Sequence, residues 1–170
     1  MAHPENLALL GSPLKGQKHL GRPFVSLKRE LAAALLLGAA TVLGFAPFGL
    51  FPLPIVTLAL LFRLWARAAN PRAAALLGFA WGLGFFLCGV SWIYVSLHDV
   101  GGMDAPLAAA ATLLFCTYLA LFPALAGYVF RRITSADFHR PFLDALLLAG
   151  LWTLAEWLRG WLFTDRKSVV

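Results

Sequence analysis

The sequence predicts an all-α fold, a polytopic transmembrane helical bundle of about five spans with a cytoplasmic N-terminus. Three observations carry that expectation. Apolar residues make up 61% of the 170 against 13% charged, with a mean hydropathy of +0.79, more apolar surface than a water-soluble domain can enclose. Five apolar runs are separated by Pro, Gly and Arg clusters. The turns alternate between those rich in Lys and Arg and those without them, the pattern of a chain threaded by the positive-inside rule.

Residues 1–29 read as a cytoplasmic basic tail, with Lys15, Lys18, Arg22, Lys28 and Arg29 among Pro and Gly. Residues 30–164 form the expected transmembrane domain. Its first span, 31–46, resembles a signal-peptide core behind a basic segment, but the apolar runs that follow favour an uncleaved helix. Pro47, Pro52 and Pro54 break it in a turn rich in Phe, because proline lacks a backbone donor. Span two, 53–66, returns as the second arm of a short hairpin and ends at Arg63, Arg67 and Arg72.

Span three covers 73–95 and carries Gly78, Gly82, Gly84 and Gly89, small residues that let helix backbones approach closely in lipid. The loop 96–105 holds His98, Asp99 and Asp104 without Lys or Arg, so it faces outward. Span four, 106–130, ends on Arg131-Arg132, and a short cytoplasmic segment with His139 and Arg140 leads to span five, 142–163. No inverted repeat of the transporter kind is visible.

The net charge of +6 reflects these turn clusters and not a basic face, so topology and lipid headgroups explain it and nucleic acid is excluded as a partner. Cys88 and Cys116 sit inside apolar runs and read as small hydrophobes. Ser91, His98 and Asp99 supply the residue types of a nucleophilic triad, but Ser91 is placed within a helix with no nucleophile elbow around it. No spacing among His98, Asp99 and Asp104 suits a metal, and no cofactor is expected.

Glu156 and Arg159 are the most unusual polar feature, opposite charges three residues apart on one face of span five. Charges within a bilayer are expensive, so the pair serves either a structural bridge or a substrate contact. Its position near the outer end among tryptophans favours the bridge. Trp81, Trp92, Tyr94, Trp152, Trp157 and Trp161 read as an aromatic belt at span ends, with the lining of an acyl-chain groove as the alternative.

The order of short motifs is more specific than composition. Gly44-Phe45-Ala46-Pro47 is followed by Gly78-Phe79-Ala80-Trp81-Gly82, then by Gly89-Val90-Ser91-Trp92-Ile93-Tyr94 and Gly101-Gly102-Met103, and last by Glu156-Trp157-Leu158-Arg159-Gly160-Trp161. Over residues 28–164 this series resembles the amino-terminal membrane region of bacterial apolipoprotein N-acyltransferases.

The resemblance implies an enzyme of the bacterial inner membrane. It would move an acyl chain from a phospholipid donor to the N-terminal cysteine amine of a diacylated apolipoprotein. It further implies a nitrilase-like catalytic domain, with a Cys nucleophile, a Glu base and a Lys at the oxyanion, that has no counterpart in these residues, so the chain alone is expected to be inactive. No catalytic residue carries over. Phe45, Trp81, Trp92, Gly101, Gly102, Glu156 and Arg159 do match the family pattern, with packing and the shaping of a lipid entrance as their implied roles.

Past Thr164 the chain departs from the Gly-Phe-Pro-Trp-like stretch of the family. Residues 165–170 are expected to be a non-native tail, since one codon series for them matches a common sequencing-adapter read. A small transporter or channel subunit is the alternative function, served by the glycines of span three and the Glu156 and Arg159 pair. A membrane scaffold is the third.

Overall fold

The computed structural model describes residues 24–134 and 141–163. Most of the expected tail, the His139 and Arg140 turn and residues 165–170 lie outside the described residues. Every regular element described is helical. The helices are α1 (Phe24–Thr41), α2 (Pro52–Arg67), α3 (Pro71–Gly89), the single turn α4 (Trp92–Val95), α5 (Ala105–Ile133) and α6 (Pro141–Phe163). Among the described residues, α3 and α5 are long and apolar enough to cross a membrane. At 16 residues, α2 is about 24 Å long and short of the ~30 Å hydrocarbon core.

Several boundaries differ from expectation, each for a local reason. The first helix begins at Phe24, so Lys28 and Arg29 are helical and not part of a tail. Both are good helix formers whose long stems can reach a polar interface from a helix end. It ends at Thr41 in a 3-10 turn, Val42–Gly44, before the Ala46-Pro47 corner.

Span three is shorter than predicted. The helix stops at Gly89, where the Val90 N–H still donates to the Phe86 carbonyl at 2.8 Å, and the chain restarts as α4. Ser91 therefore sits in the break and not within a helix, its hydroxyl donating to the Cys88 carbonyl at 3.3 Å. The expected loop 96–105 opens with a π-helical turn, Ser96–Val100, closed by Gly102 at φ 64°, a left-handed conformation that glycine adopts without a Cβ penalty.

α2 and α3 are joined by a tight turn. Asn70 caps α3 by accepting from the Ala73 N–H at 2.8 Å, and Pro71 occupies the first helical position where no donor is needed. Arg131, near the end of α5, donates through Nε to the Ala68 carbonyl at 2.8 Å and through Nη1 to the Thr134 carbonyl at 2.9 Å. These bonds satisfy carbonyls left open at two helix ends. Replacing Asn70 with alanine is expected to cost about 1 kcal/mol, the usual worth of an N-cap. Thermal unfolding in detergent measures it, and an unchanged melting temperature would rule the cap out.

α3 is the central helix, packed on α1 along one side and α5 along another. Glycine sets both seams. A Cβ on Gly84 would lie 2.0 Å from the Leu35 carbonyl oxygen, and one on Gly38 would lie 1.9 Å from that of Trp81. On the α5 side, a Cβ on Gly78 would meet the Pro123 carbonyl at 2.4 Å, and one on Gly82 would meet the Ala120 Cα at 2.9 Å. Gly89 differs, since a Cβ there would make ordinary contact with Val42 at 3.5 Å. Three of the four glycines expected to permit close approach thus do so, and Gly38 joins them.

Trp65, Leu61, Leu77 and Phe130 form the core between α2, α3 and α5. Contacts fix the helix directions. Gly38 lies beside Trp81 while Val42 lies beside Gly89, and Trp152 lies beside Trp81 while Arg159 lies beside Phe86, so α1, α3 and α6 run parallel. Gly82 faces Ala120 and Gly78 faces Pro123, so α5 runs the opposite way. The end holding the α2–α3 turn therefore gathers Arg67, Arg72, Arg131 and Arg132, and the other end carries Asp99, Asp104, Glu156 and Arg159.

Candidate functional site

The glycine seams close α3 onto α1 and α5, and α6 stands off on bulky side chains. Aromatic residues fill what remains. Trp81 stacks on Phe85 with centroids 5.3 Å apart, and Trp152 of α6 meets Trp81 edge-on at 5.6 Å and Phe62 of α2 at 5.9 Å. Phe45, from the Pro-rich corner, packs on Phe85 at 6.1 Å. Among these rings lies a cavity of about 240 Å³ whose walls include Phe45, Trp81, Phe85, Phe86, Trp152 and Arg159. A second hollow of about 300 Å³ shares Phe45, Phe85, Phe86 and Arg159 and extends toward Ala46 and Val90.

Few polar groups border the cavity. The Thr41 hydroxyl, 2.7 Å from the Leu37 carbonyl and 2.8 Å from Thr57 Oγ1, is satisfied within the bundle. Arg159 Nη2 donates to Glu156 Oε2, so the two charges pair directly. The guanidinium also lies 5.7 Å from the centre of the Phe86 ring, within cation–π range. With its side chain 31% exposed, Arg159 stands at the edge of the cavity and not in its depth. The Trp81 indole N–H is buried and has no hydrogen-bond partner among the described residues.

Four of the seven residues singled out in the sequence, Phe45, Trp81, Glu156 and Arg159, come together on this cavity. The other three do not. Trp92 is 63% exposed and borders a separate open groove with Tyr94 and Thr112. Gly101 and Gly102 shape the turn after the π-helical segment, where the Met103 N–H donates to the Leu97 carbonyl at 3.0 Å. His98 belongs to the same turn, its Nδ1 2.8 Å from the Met103 carbonyl oxygen.

The aromatic-belt reading fails for two residues. Trp81 is only 2% exposed, and Trp152 is half-buried against it, because the small residues along α1 and α3 leave interior space that large rings fill. Trp157 and Trp161 stack on each other on the open face of α6. Phe85, Phe86, Phe122 and Pro123 also line the cavity and were not singled out. Phe85-Phe86, four and five residues past Trp81, and Pro123 inside an apolar run, were the available signals.

Cys116 is buried with Phe86 and Leu119, and Cys88 is exposed near the end of α3. Among the described residues, no three of His, Cys, Asp and Glu gather as a metal site would need.

Residues 37–166 match the family model described as the apolipoprotein N-acyltransferase N-terminal domain. An apolipoprotein N-acyltransferase from Nitrosomonas europaea is 54% identical over 137 residues, covering 79% of this chain and 27% of that protein. Those of Methylococcus capsulatus and Ralstonia nicotianae are 44% and 41% identical, over 80% and 90% of this chain and 26% and 30% of their own lengths. The chain thus spans between about a quarter and a third of the curated relatives it matches. Matched across most of its helical region, the chain belongs to the apolipoprotein N-acyltransferase family, within that family's amino-terminal domain.

Proposed function

We propose that these residues form the membrane domain of an apolipoprotein N-acyltransferase of the bacterial inner membrane. The whole protein would transfer an acyl chain from a phospholipid to the N-terminal cysteine amine of a diacylated apolipoprotein, a step of lipoprotein maturation. In this reading the chain crosses the bilayer about five times from a cytoplasmic N-terminus, with the arginine-rich end of the bundle inside. The family match over residues 37–166 carries the proposal. Two helices apolar enough to span, and arginines gathered at one end, agree with it.

The chemistry needs a nucleophile, a base and a group to hold the oxyanion. In this reading these residues hold and orient lipid, and the reacting groups belong to the part of the family's length that this segment, about a quarter of the relatives it matches, does not span. A chimera tests this. The matching segment of the Nitrosomonas europaea protein is replaced by residues 37–163, and transfer from a labelled phospholipid to a diacylated lipopeptide is followed. Activity within about tenfold of the parent is expected, a loss below ~1.4 kcal/mol of transition-state stabilisation. The 170-residue chain alone serves as the control expected to transfer nothing. A chimera that accumulates in the membrane like its parent yet transfers no acyl group would overturn the proposal.

A further inference from the structure

We propose that the outward face of α6 is the docking surface for a membrane-crossing helix from the length of chain that relatives carry after this domain. The inference rests on the reading that these residues are the membrane domain of a longer enzyme, and adds which face of the bundle the remainder meets.

The two sides of α6 differ in kind. Leu148, Trp152 and Ala155 turn toward the bundle. On the opposite side Leu143, Leu146, Gly150, Thr153, Trp157 and Gly160 are all exposed, and they follow one another at alternating steps of three and four residues. That spacing keeps them in one line along the helix and is the seam of a helix pair crossing at about 20°. Thr153 Oγ1 donates to the Ala149 carbonyl at 2.8 Å, so the hydroxyl on the seam is satisfied within α6 and is no obstacle to an apolar partner.

Glycine marks where backbones meet in this molecule. A Cβ on Gly38, Gly78, Gly84 or Gly127 would fall 1.9, 2.4, 2.0 or 2.8 Å, in that order, from a carbonyl oxygen of another helix. Gly150 and Gly160 lie within α6, and a Cβ on either would meet nothing within 4 Å among the described residues. Glycine is the weakest helix former after proline. Lipid tails give no return for that loss, whereas the close approach of another helix does.

The occupant follows from the length of the relatives. The matched domain is the amino-terminal one and runs to residue 166, past the end of α6. The shared segment is 27%, 26% and 30% of three relatives, so most of each lies beyond it. Of the described helices, α6 is the nearest in sequence to that remainder, and consecutive elements usually pack side by side. The seam also sets the partner's chemistry: an apolar helix with bulky side chains opposite Gly150 and Thr153 and small ones opposite Trp157.

The chimera of residues 37–163 in the Nitrosomonas europaea protein tests the face, with Trp157→p-benzoylphenylalanine as a photo-cross-linker. Illumination in membranes should join position 157 to a peptide that follows the exchanged segment in the same polypeptide, located by mass spectrometry. Gly150→Leu should lower the amount of chimera in the membrane by about threefold or more, because leucine overpacks the seam. In the 170-residue chain the same change should leave thermal unfolding in detergent no lower than the parent, since the position is open there. A cross-link to a second copy, to lipid alone or within the exchanged segment would overturn the docking surface. So would a Gly150→Leu change that is harmless in both proteins or equally damaging in both. An unsubstituted chimera that transfers acyl groups while its photo-cross-links go elsewhere would discard this inference and leave the proposed function standing. An inactive chimera with the expected cross-link would do the reverse.

Discussion

Replacing Gly84 with leucine is expected to separate α1 from α3 and unfold the bundle. The site has no room for even a methyl group. A Cβ there would sit 2.0 Å from the Leu35 carbonyl oxygen and 3.0 Å from the Ala39 nitrogen, both backbone atoms that cannot rotate away. The mirrored contact of Gly38 with the Trp81 carbonyl, at 1.9 Å, means that the whole seam must widen together. Overpacking a close-packed interior costs about 1–3 kcal/mol even when side chains can adjust. Here the cost falls on backbone against backbone, and with net stabilities of about 5–15 kcal/mol, leucine should remove most of the fold.

Gly84→Ala is expected to be intermediate. Gly160→Ala is the control, because a Cβ at Gly160 meets nothing within 4 Å. That change should be neutral or stabilise α6 by up to about 1 kcal/mol, the helix-propensity difference. Accumulation in the membrane and thermal unfolding in detergent report the series. A Gly84→Leu chain that melts with the parent would refute the α1–α3 seam.

The second large effect concerns Glu156 and Arg159. Each single neutralisation leaves a charge without its partner in a largely apolar setting, and the cost approaches about 2.5–3.5 kcal/mol only at the bilayer centre. With the two side chains 31% and 44% exposed, a loss on the order of 1–2 kcal/mol is expected for the worse of the two variants. The variants should differ in a fixed order. In Glu156→Gln the surviving guanidinium keeps its contact with Phe86 and can extend toward the polar interface. In Arg159→Gln the surviving carboxylate has a shorter reach and no ring to rest on, so this variant should be the less stable.

Glu156→Gln combined with Arg159→Gln should recover part of the loss, since no charge then remains unpaired. A double-mutant cycle on unfolding in detergent gives the coupling. Additive single effects would mean that the pair contributes nothing as a pair.

Sequence by itself determined the helical class and the motif order that marks the family. These are legible because they depend on neighbours along the chain: apolar runs, proline and glycine breaks, and short motifs in a fixed order. The Glu156–Arg159 pairing belongs with them, as a three-residue spacing on a helix brings the two side chains together without further help.

Only the tertiary structure decided which aromatic residues face inward. α3 is apolar all the way round, so its sequence carries no stripe to say which side meets a neighbour. Trp81 and Trp92 therefore looked alike as belt residues, although one is buried beside Trp152 and the other is exposed beyond the helix break. Gly38 was overlooked for the same reason, because a lone glycine among alanines acquires meaning only when the Trp81 carbonyl lies against it. The cavity is likewise a product of packing. Glycine draws α3 onto α1 and α5, large rings hold α6 away, and the space between collects residues from five helices and the Pro-rich corner that no spacing along the chain brings together.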